Sequence, residues 1–197
     1  MSTDHARLTA RRKAGHERKQ ARATGEKGLL IVFTGPGKGK TTAAFGMALR
    51  AIGHGMQVGI VQFIKSAQDS AERTAFSRFE NVEFHTIGAG FTWLTQDRDR
   101  DIAAAGQAWA EAERMIGDPR YQLVILDELN PVLHYGYLEG GRVLEALSQR
   151  RTDLHIVVTG RNAPAQLVDL ADLVSDIRAV KHPYRDQGVK AQPGIEF

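Results

Sequence analysis

A chain of 197 residues, 42% hydrophobic and 25% charged, has the makings of one well-buried globular domain and is short for two. It contains no cysteine, which excludes a disulfide framework, a thiolate zinc site and a cysteine nucleophile. No apolar run approaches the roughly 20 residues of a membrane span, and the N-terminus lacks the hydrophobic segment of a secretory signal, so a cytoplasmic location is expected.

The net charge of +3 is uneven, because residues 1–27 hold eight Lys/Arg against Asp4, Glu17 and Glu26. That basic segment reads first as a solvated, flexible, partly disordered tail. No aromatic residues are interleaved with its charges, so a nucleic-acid arm is disfavoured. The third reading is a helix that orders over an anionic ligand or a partner subunit. The remaining residues, 28–197, form the domain proper, without an internal repeat.

Residues 29–33, Leu-Leu-Ile-Val-Phe, are a continuous β-favouring apolar run, as expected of a strand covered on both faces in a parallel sheet. A glycine loop follows, and 41–52 then read as a helix with Gly53 placed to end it. Further strands are expected at 58–63, 82–86, 123–126, 156–159 and, more weakly, 173–177. Between them lie helical patterns at 97–117, 139–150 and 164–170, the first opening on Asp97, Asp99 and Asp101 at its positive end. Alternating strands and helices predict an α/β, doubly wound, mainly parallel sheet. In such sheets the ligand lies beyond the carboxyl ends of the strands. The segments to inspect are therefore the glycine loop, Lys65, 88–93, Asp127-Glu128 and Gly160-Arg161.

The loop reads Thr34-Gly35-Pro36-Gly37-Lys38-Gly39-Lys40-Thr41-Thr42. It resembles the P-loop pattern G-x-x-x-x-G-K-[ST], but its first glycine falls one position late. Gly35, Gly37 and Gly39 allow backbone N–H groups to turn inward, Lys40 supplies charge and Thr41 a hydroxyl for Mg²⁺. Its place between a buried strand and a helix predicts a phosphate cradle in a P-loop, RecA-like three-layer sandwich. The apolar run ending in Asp127-Glu128 supplies the second acidic element, with either carboxylate as an Mg²⁺ ligand; a helix N-cap at Asp127 is the alternative. These features do not name a reaction, since P-loop folds host kinases, ATPases, switches and transferases. Glu128 could act as a base. The histidines His54, His85, His134, His155 and His182 have no metal-ligand spacing and read as structural or surface residues.

Taken in order, FTGPGKGKTTAAFGMALRAIGHG, VGIVQFIK, GAGFTW, VILDELN, VVTGRN, DLADLVSDI and VKHPYRDQGVKAQPGIEF closely resemble the P-loop corrinoid adenosyltransferases of cobalamin biosynthesis, over about residues 28–197. The shortened loop is itself that family's form, T-G-x-G-K-G-K-T-T. The resemblance implies that ATP donates its 5′-deoxyadenosyl group to the cobalt(I) of a corrinoid, cob(I)yrinic acid a,c-diamide or cob(I)alamin, releasing triphosphate. A cobalt(I) nucleophile has no proton to remove, which accounts for the missing base.

Carried over residue by residue, the resemblance implies that Gly35, Pro36, Gly37, Lys38, Gly39, Lys40, Thr41 and Thr42 bind the triphosphate. Lys40, Lys38 and Glu128 would be catalytic, and Thr41, Glu128 and Asp127 would hold Mg²⁺ or Mn²⁺. ATP would lie reversed relative to hydrolytic P-loop proteins, with its adenosyl end outward. Phe91 and Trp93, which alone could be a core plug, would lie at the corrinoid and favour a four-coordinate cobalt(II) that is easier to reduce. Arg161 is expected to reach phosphate or else to cap its loop on the surface, and Lys65 carries the same two readings. Lys181, Tyr184 and Lys190 match a pattern without a role. A homodimer and a transient flavoprotein reductant are implied as partners. The competing expectations are a P-loop kinase or ATPase with another substrate, and a nucleotide-dependent binding switch.

Overall fold

The computed structural model describes residues 2–22, 24–64, 71–88 and 97–195. The basic segment contains helix α1 (Ser2–Arg22), whose described side chains are exposed or half-buried. The domain follows as β1 (Leu30–Thr34), α2 (Lys40–Gly53), β2 (Val58–Gln62), α3 (Ala71–Phe76), β3 (Val82–Thr86) and α4 (Arg98–Gly117). It continues with β4 (Leu123–Asp127), α5 (Leu129–His134), α6 (Gly140–Ser148), β5 (His155–Thr159), α7 (Ala165–Leu170), β6 (Leu173–Asp176) and α8 (Pro183–Gln187).

The strands pair in parallel in the order β3-β2-β4-β5-β1-β6. Alternation along each strand sends successive side chains to opposite faces. Leu30, Val32, Val124 and Leu126 join one buried cluster with Trp109 and Met115 of α4, Val132 of α5 and Leu147 of α6. Ile31, Ile60, Ile125 and Val157 join the other with Ala44, Phe45 and Ala48 of α2 and Phe76 of α3. The result is the expected doubly wound three-layer sandwich, with all six strands parallel. Gly59 lets α4 approach closely, since a Cβ there would lie 2.6 Å from Met115 Sδ and 3.3 Å from the Tyr121 ring.

Local signals explain the helix ends. Asp97 is the N-cap of α4, its carboxylate accepting from the Arg100 amide at 3.1 Å. Helix α2 runs through Gly53, so the residue that ends it is Gly55, left-handed at φ 73°. Met56 N–H reaches back to Ala51 O at 3.0 Å, closing a Schellman turn. Helices α3, α5 and α8 each span fewer than two turns, too short to show a clear helical period, and are not among the helices expected from the sequence. Pro131 sits in the first turn of α5, where its missing N–H would have no helical partner anyway.

The parallel register aligns the carboxyl ends of the strands. Gln62 stands opposite both Thr86 and Asp127, Phe33 opposite Thr159, and Thr34 opposite Asp176. Each strand therefore closes on a polar residue at the same edge, which is where the cradle begins.

At the opposite edge, Asp172 accepts from Lys27 Nζ, from the Leu30 amide at 2.8 Å and from Arg150 Nη2 at 3.1 Å, pinning the entry to β1. The Lys27 hydrogen bond first, then the Leu30 amide, hold its carboxyl below the usual carboxylate range. A carboxyl depressed in the folded chain adds stability above its unfolded pKa and loses it as pH falls through the folded value. Asp172→Asn is therefore expected to lower the urea midpoint at pH 7. The difference from wild type should shrink below about pH 4; a pH-independent difference would contradict this assignment.

Candidate active site

The cradle is shaped by backbone constraints. Gly35 and Gly39 adopt left-handed conformations, φ 97° and 108°. A Cβ on Gly35 would lie 2.2 Å from Asp176 Oδ1, and one on Gly37 would lie 2.7 Å from Ile177 O and from the Arg178 carbonyl carbon. The Gly37 amide donates to Ile177 O at 2.7 Å. The loop thus rests against the chain leaving β6, and only glycine fits the contact. Helix α2 starts at Lys40 with Gly39 as a cap that has no side chain to offer, and its first turn holds no acidic residue. Its first amides and its dipole are suited to an anion.

Lys40 is 7% exposed, and its Nζ donates to Gly35 O at 2.9 Å and Gly37 O at 2.6 Å. Burial, the largest influence, pushes its pKa down; Glu128 and Asp127 oppose this, while Arg161 and Lys38 reinforce it. Two carboxylates and two cations thus act on the Lys40 ammonium. Pro36 and Thr42 lie exposed on the loop and the first turn of α2, and Arg161 is exposed just past β5.

Asp127 is fully buried at the end of β4. Its Oδ1 accepts from Thr41 Oγ1 at 2.8 Å and Thr159 Oγ1 at 2.7 Å, and its Oδ2 from Gln62 Nε2 at 2.9 Å. A buried carboxylate needs such donors, because desolvating an unpaired charge costs several kcal/mol. The N-cap of α5 is Glu128, not Asp127, so the capping alternative for Asp127 does not hold. Glu128 is left-handed at φ 62°, and Asn162 likewise at 57°. Both flank Gly160 (φ 125°), where a Cβ would lie 2.3 Å from Pro131 Cδ and 3.2 Å from Glu128 Oε2. Non-glycine residues held this way store strain of about 1–3 kcal/mol each and cluster at functional sites.

Lys65, Phe91 and Trp93 lie outside the described residues. Lys181, Tyr184 and Lys190 are exposed in the C-terminal segment. Sequence reasoning missed Gln62, Thr86, Thr159 and Asn130, whose shared signal is a polar residue at or just past the end of an apolar run. Buried Asn130 donates to Gly160 O at 2.9 Å and to Phe33 O at 3.5 Å, tying the ends of β5 and β1 together. Glu83, His85 and Glu111 also converge within 4.8 Å across β3 and α4. Arg114 bonds both carboxylates and Tyr121 donates to Glu83, which makes an ion-pair network at that edge.

The family model for the ATP:corrinoid adenosyltransferase BtuR/CobO/CobP matches residues 26–197. The corrinoid adenosyltransferase of Pseudomonas aeruginosa is 50% identical over 194 residues, covering 98% of this chain and 95% of that protein. Those of Sinorhizobium sp and Escherichia coli K12 are each 48% identical; the matches cover 98% and 90% of this chain, and 91% and 89% of the respective relatives.

Because a methyl group at position 37 would strike backbone, Gly37→Ala is expected to weaken MgATP binding by about tenfold or more by isothermal titration. An unchanged dissociation constant would show that the contact with residues 177–178 does not set the shape of the cradle.

Proposed function

The chain belongs to the ATP:corrinoid adenosyltransferase family, and from that premise we propose that its glycine loop grips the triphosphate of ATP as a leaving group. The protein is an enzyme that adenosylates corrinoids with ATP as the donor. The cobalt(I) of the corrinoid substrate donates an electron pair to C5′ of ATP. The C5′–O bond breaks, its electrons stay with the triphosphate, and a cobalt–carbon bond forms. The observation that carries this assignment of roles is the buried Lys40 ammonium held inside the glycine loop by the Gly35 and Gly37 carbonyls, with the Thr41–Asp127 pair at the start of the same helix.

No residue need abstract a proton, so the work of the site is positioning and charge stabilisation. Negative charge grows on the bridging oxygen as C5′ is released. Lys40, Lys38 and Arg161 would neutralise it, together with the first amides of α2. A bound triphosphate also favours protonated Lys40, opposing the downward push of burial. The outward, reversed placement of ATP would bring C5′ to the corrinoid, whose contacts we assign to Phe91 and Trp93.

Thr41 Oγ1 and Asp127 Oδ1, 2.8 Å apart, with the Glu128 carboxylate nearby in sequence, form an all-oxygen donor set suited to Mg²⁺ or Mn²⁺. When bound, that ion would offset triphosphate charge. Asp127, already holding three donors, would act chiefly by orienting the Thr41 hydroxyl. Helix α1, with its basic residues, would cover the anionic or amide periphery of the corrinoid, and a homodimer and a flavoprotein reductant complete the reading.

Incubation with MgATP and chemically reduced cobalamin should yield a light-sensitive adenosylcorrinoid and triphosphate. ADP and phosphate without adenosylation would sink the reading. Lys40→Ala is expected to abolish activity with either entry state of cobalt, a loss of at least about 100-fold by comparison with single charge-stabilising donors elsewhere. Phe91→Ala and Trp93→Ala should impair chiefly the reaction that starts from cobalt(II) with enzymatic reduction. Equal losses with pre-reduced cobalt(I) would remove their assigned role.

A further inference from the structure

Gln62 is fully buried at the end of β2, between the phosphate cradle and the end of β3. Its Nε2 donates to Asp127 Oδ2 at 2.9 Å, which leaves its Oε1 to accept from Thr86 Oγ1 at 3.3 Å. Its own carbonyl accepts from the Ile87 amide at 3.0 Å. On the far side of Asp127 stands Thr41, the hydroxyl of the cradle, at 2.8 Å. Thr41, Asp127, Gln62 and Thr86 thus form a continuous hydrogen-bonded chain, buried at its centre and half-buried at its ends, from α2 to the neck at residues 86–88. A cavity of about 340 Å³ opens at that neck, between Thr86, Ile87 and Gly88 and the Arg100, Ala104 and Gln107 side of α4. Its volume is within the range of small-molecule sites.

We propose that Gln62 is a positioning residue that couples occupancy of the phosphate cradle to the neck at Thr86–Gly88, so that ATP and corrinoid strengthen each other's binding. The proposal rests on the adenosyl-transfer reading above and adds a link between its two substrates. The mechanism follows from rigidity. A carboxylate is planar, so a pull on Thr41 and Asp127 Oδ1 by an arriving nucleotide swings Oδ2 as well. The Gln62 amide is also planar, and displacement of Nε2 carries Oε1 with it. The Thr86 contact, at 3.3 Å, is longer than the usual 2.7–2.8 Å for O–H···O and has room to tighten. The Gln62 carbonyl also accepts from the Ile87 amide, which ties the chain just before Gly88 to the same residue. Binding energies coupled in this way are reciprocal.

The test compares dissociation constants for MgATP with and without saturating cob(II)alamin, and the reverse pair, by isothermal titration. Wild type is expected to show a mutual enhancement of about fivefold or more, the lower end of common coupling factors. Gln62→Met, similar in volume but without the amide, and Thr86→Val, which loses one hydroxyl and leaves the bonds of Asp127 in place, should each bring the ratio towards one. Melting temperatures check that both variants fold, and Thr86→Val decides the matter if Gln62→Met does not. A merely structural role would alter both ATP constants equally and leave their ratio alone. A wild-type ratio of one, or variants that keep the wild-type ratio, overturns the proposal. Adenosylation by the same wild-type preparation separates the two ideas. Its absence sinks the functional reading, whereas adenosylation with an unmoved ratio in the variants sinks only the coupling.

Discussion

The buried carboxylate of Asp127 is the constraint on which the site depends. A full charge with no exposure must have hydrogen-bond donors, and here they come from three elements: Thr41 of α2, Gln62 of β2 and Thr159 of β5. Satisfying one anion therefore fixes the start of the helix that carries the cradle against the ends of neighbouring strands. The parallel register makes this possible, since it brings Gln62 and Asp127 opposite each other. A shift of register by one residue would turn Asp127 into a core face and Leu126 towards the cradle.

The other support of the cradle is the chain beyond β6. Ile177 offers its carbonyl to Gly37, and the backbone of Ile177 and Arg178 occupies the space a side chain at Gly37 would need. The late first glycine is thus matched to a particular neighbour. Gly35 turns at φ 97° directly beside the Asp176 carboxylate, and the bend there is tighter than any residue with a Cβ allows. The loop, one residue shorter than the general pattern, packs its bend against the end of the sixth strand.

Much of this was legible in residue order. Short apolar runs of four to six residues located the six described strands, the last of them more weakly, and Asp97 marked the start of α4. The glycine loop after the first run placed the phosphate site. What was not legible depended on pairing across the sheet. The strand order and the partners of Asp127 come from register, which no short-range pattern encodes, and Gln62 in VGIVQFIK looks like an ordinary strand residue until Asp127 stands opposite it. Gly53 was read as the end of α2 because it is the first glycine after the apolar stripe, whereas the Schellman turn needs its left-handed residue two positions later, at Gly55. The convergence of Glu83, His85 and Glu111 joins a strand to a helix, so sequence spacing gave no warning of it.

Lys40, finally, rests on the carbonyls of Gly35 and Gly37, inside the loop it serves. Those oxygens carry partial charges, not a formal one. An incoming triphosphate therefore displaces dipoles from the ammonium, a weaker competitor than a carboxylate would be, and the lysine is already partly stripped of water when the nucleotide arrives. The same bonds hold the loop's curvature before any substrate is present. The lysine thus serves as a placeholder that keeps the cavity in shape for its ligand, and the entropy of ordering the loop is spent at folding, not at binding.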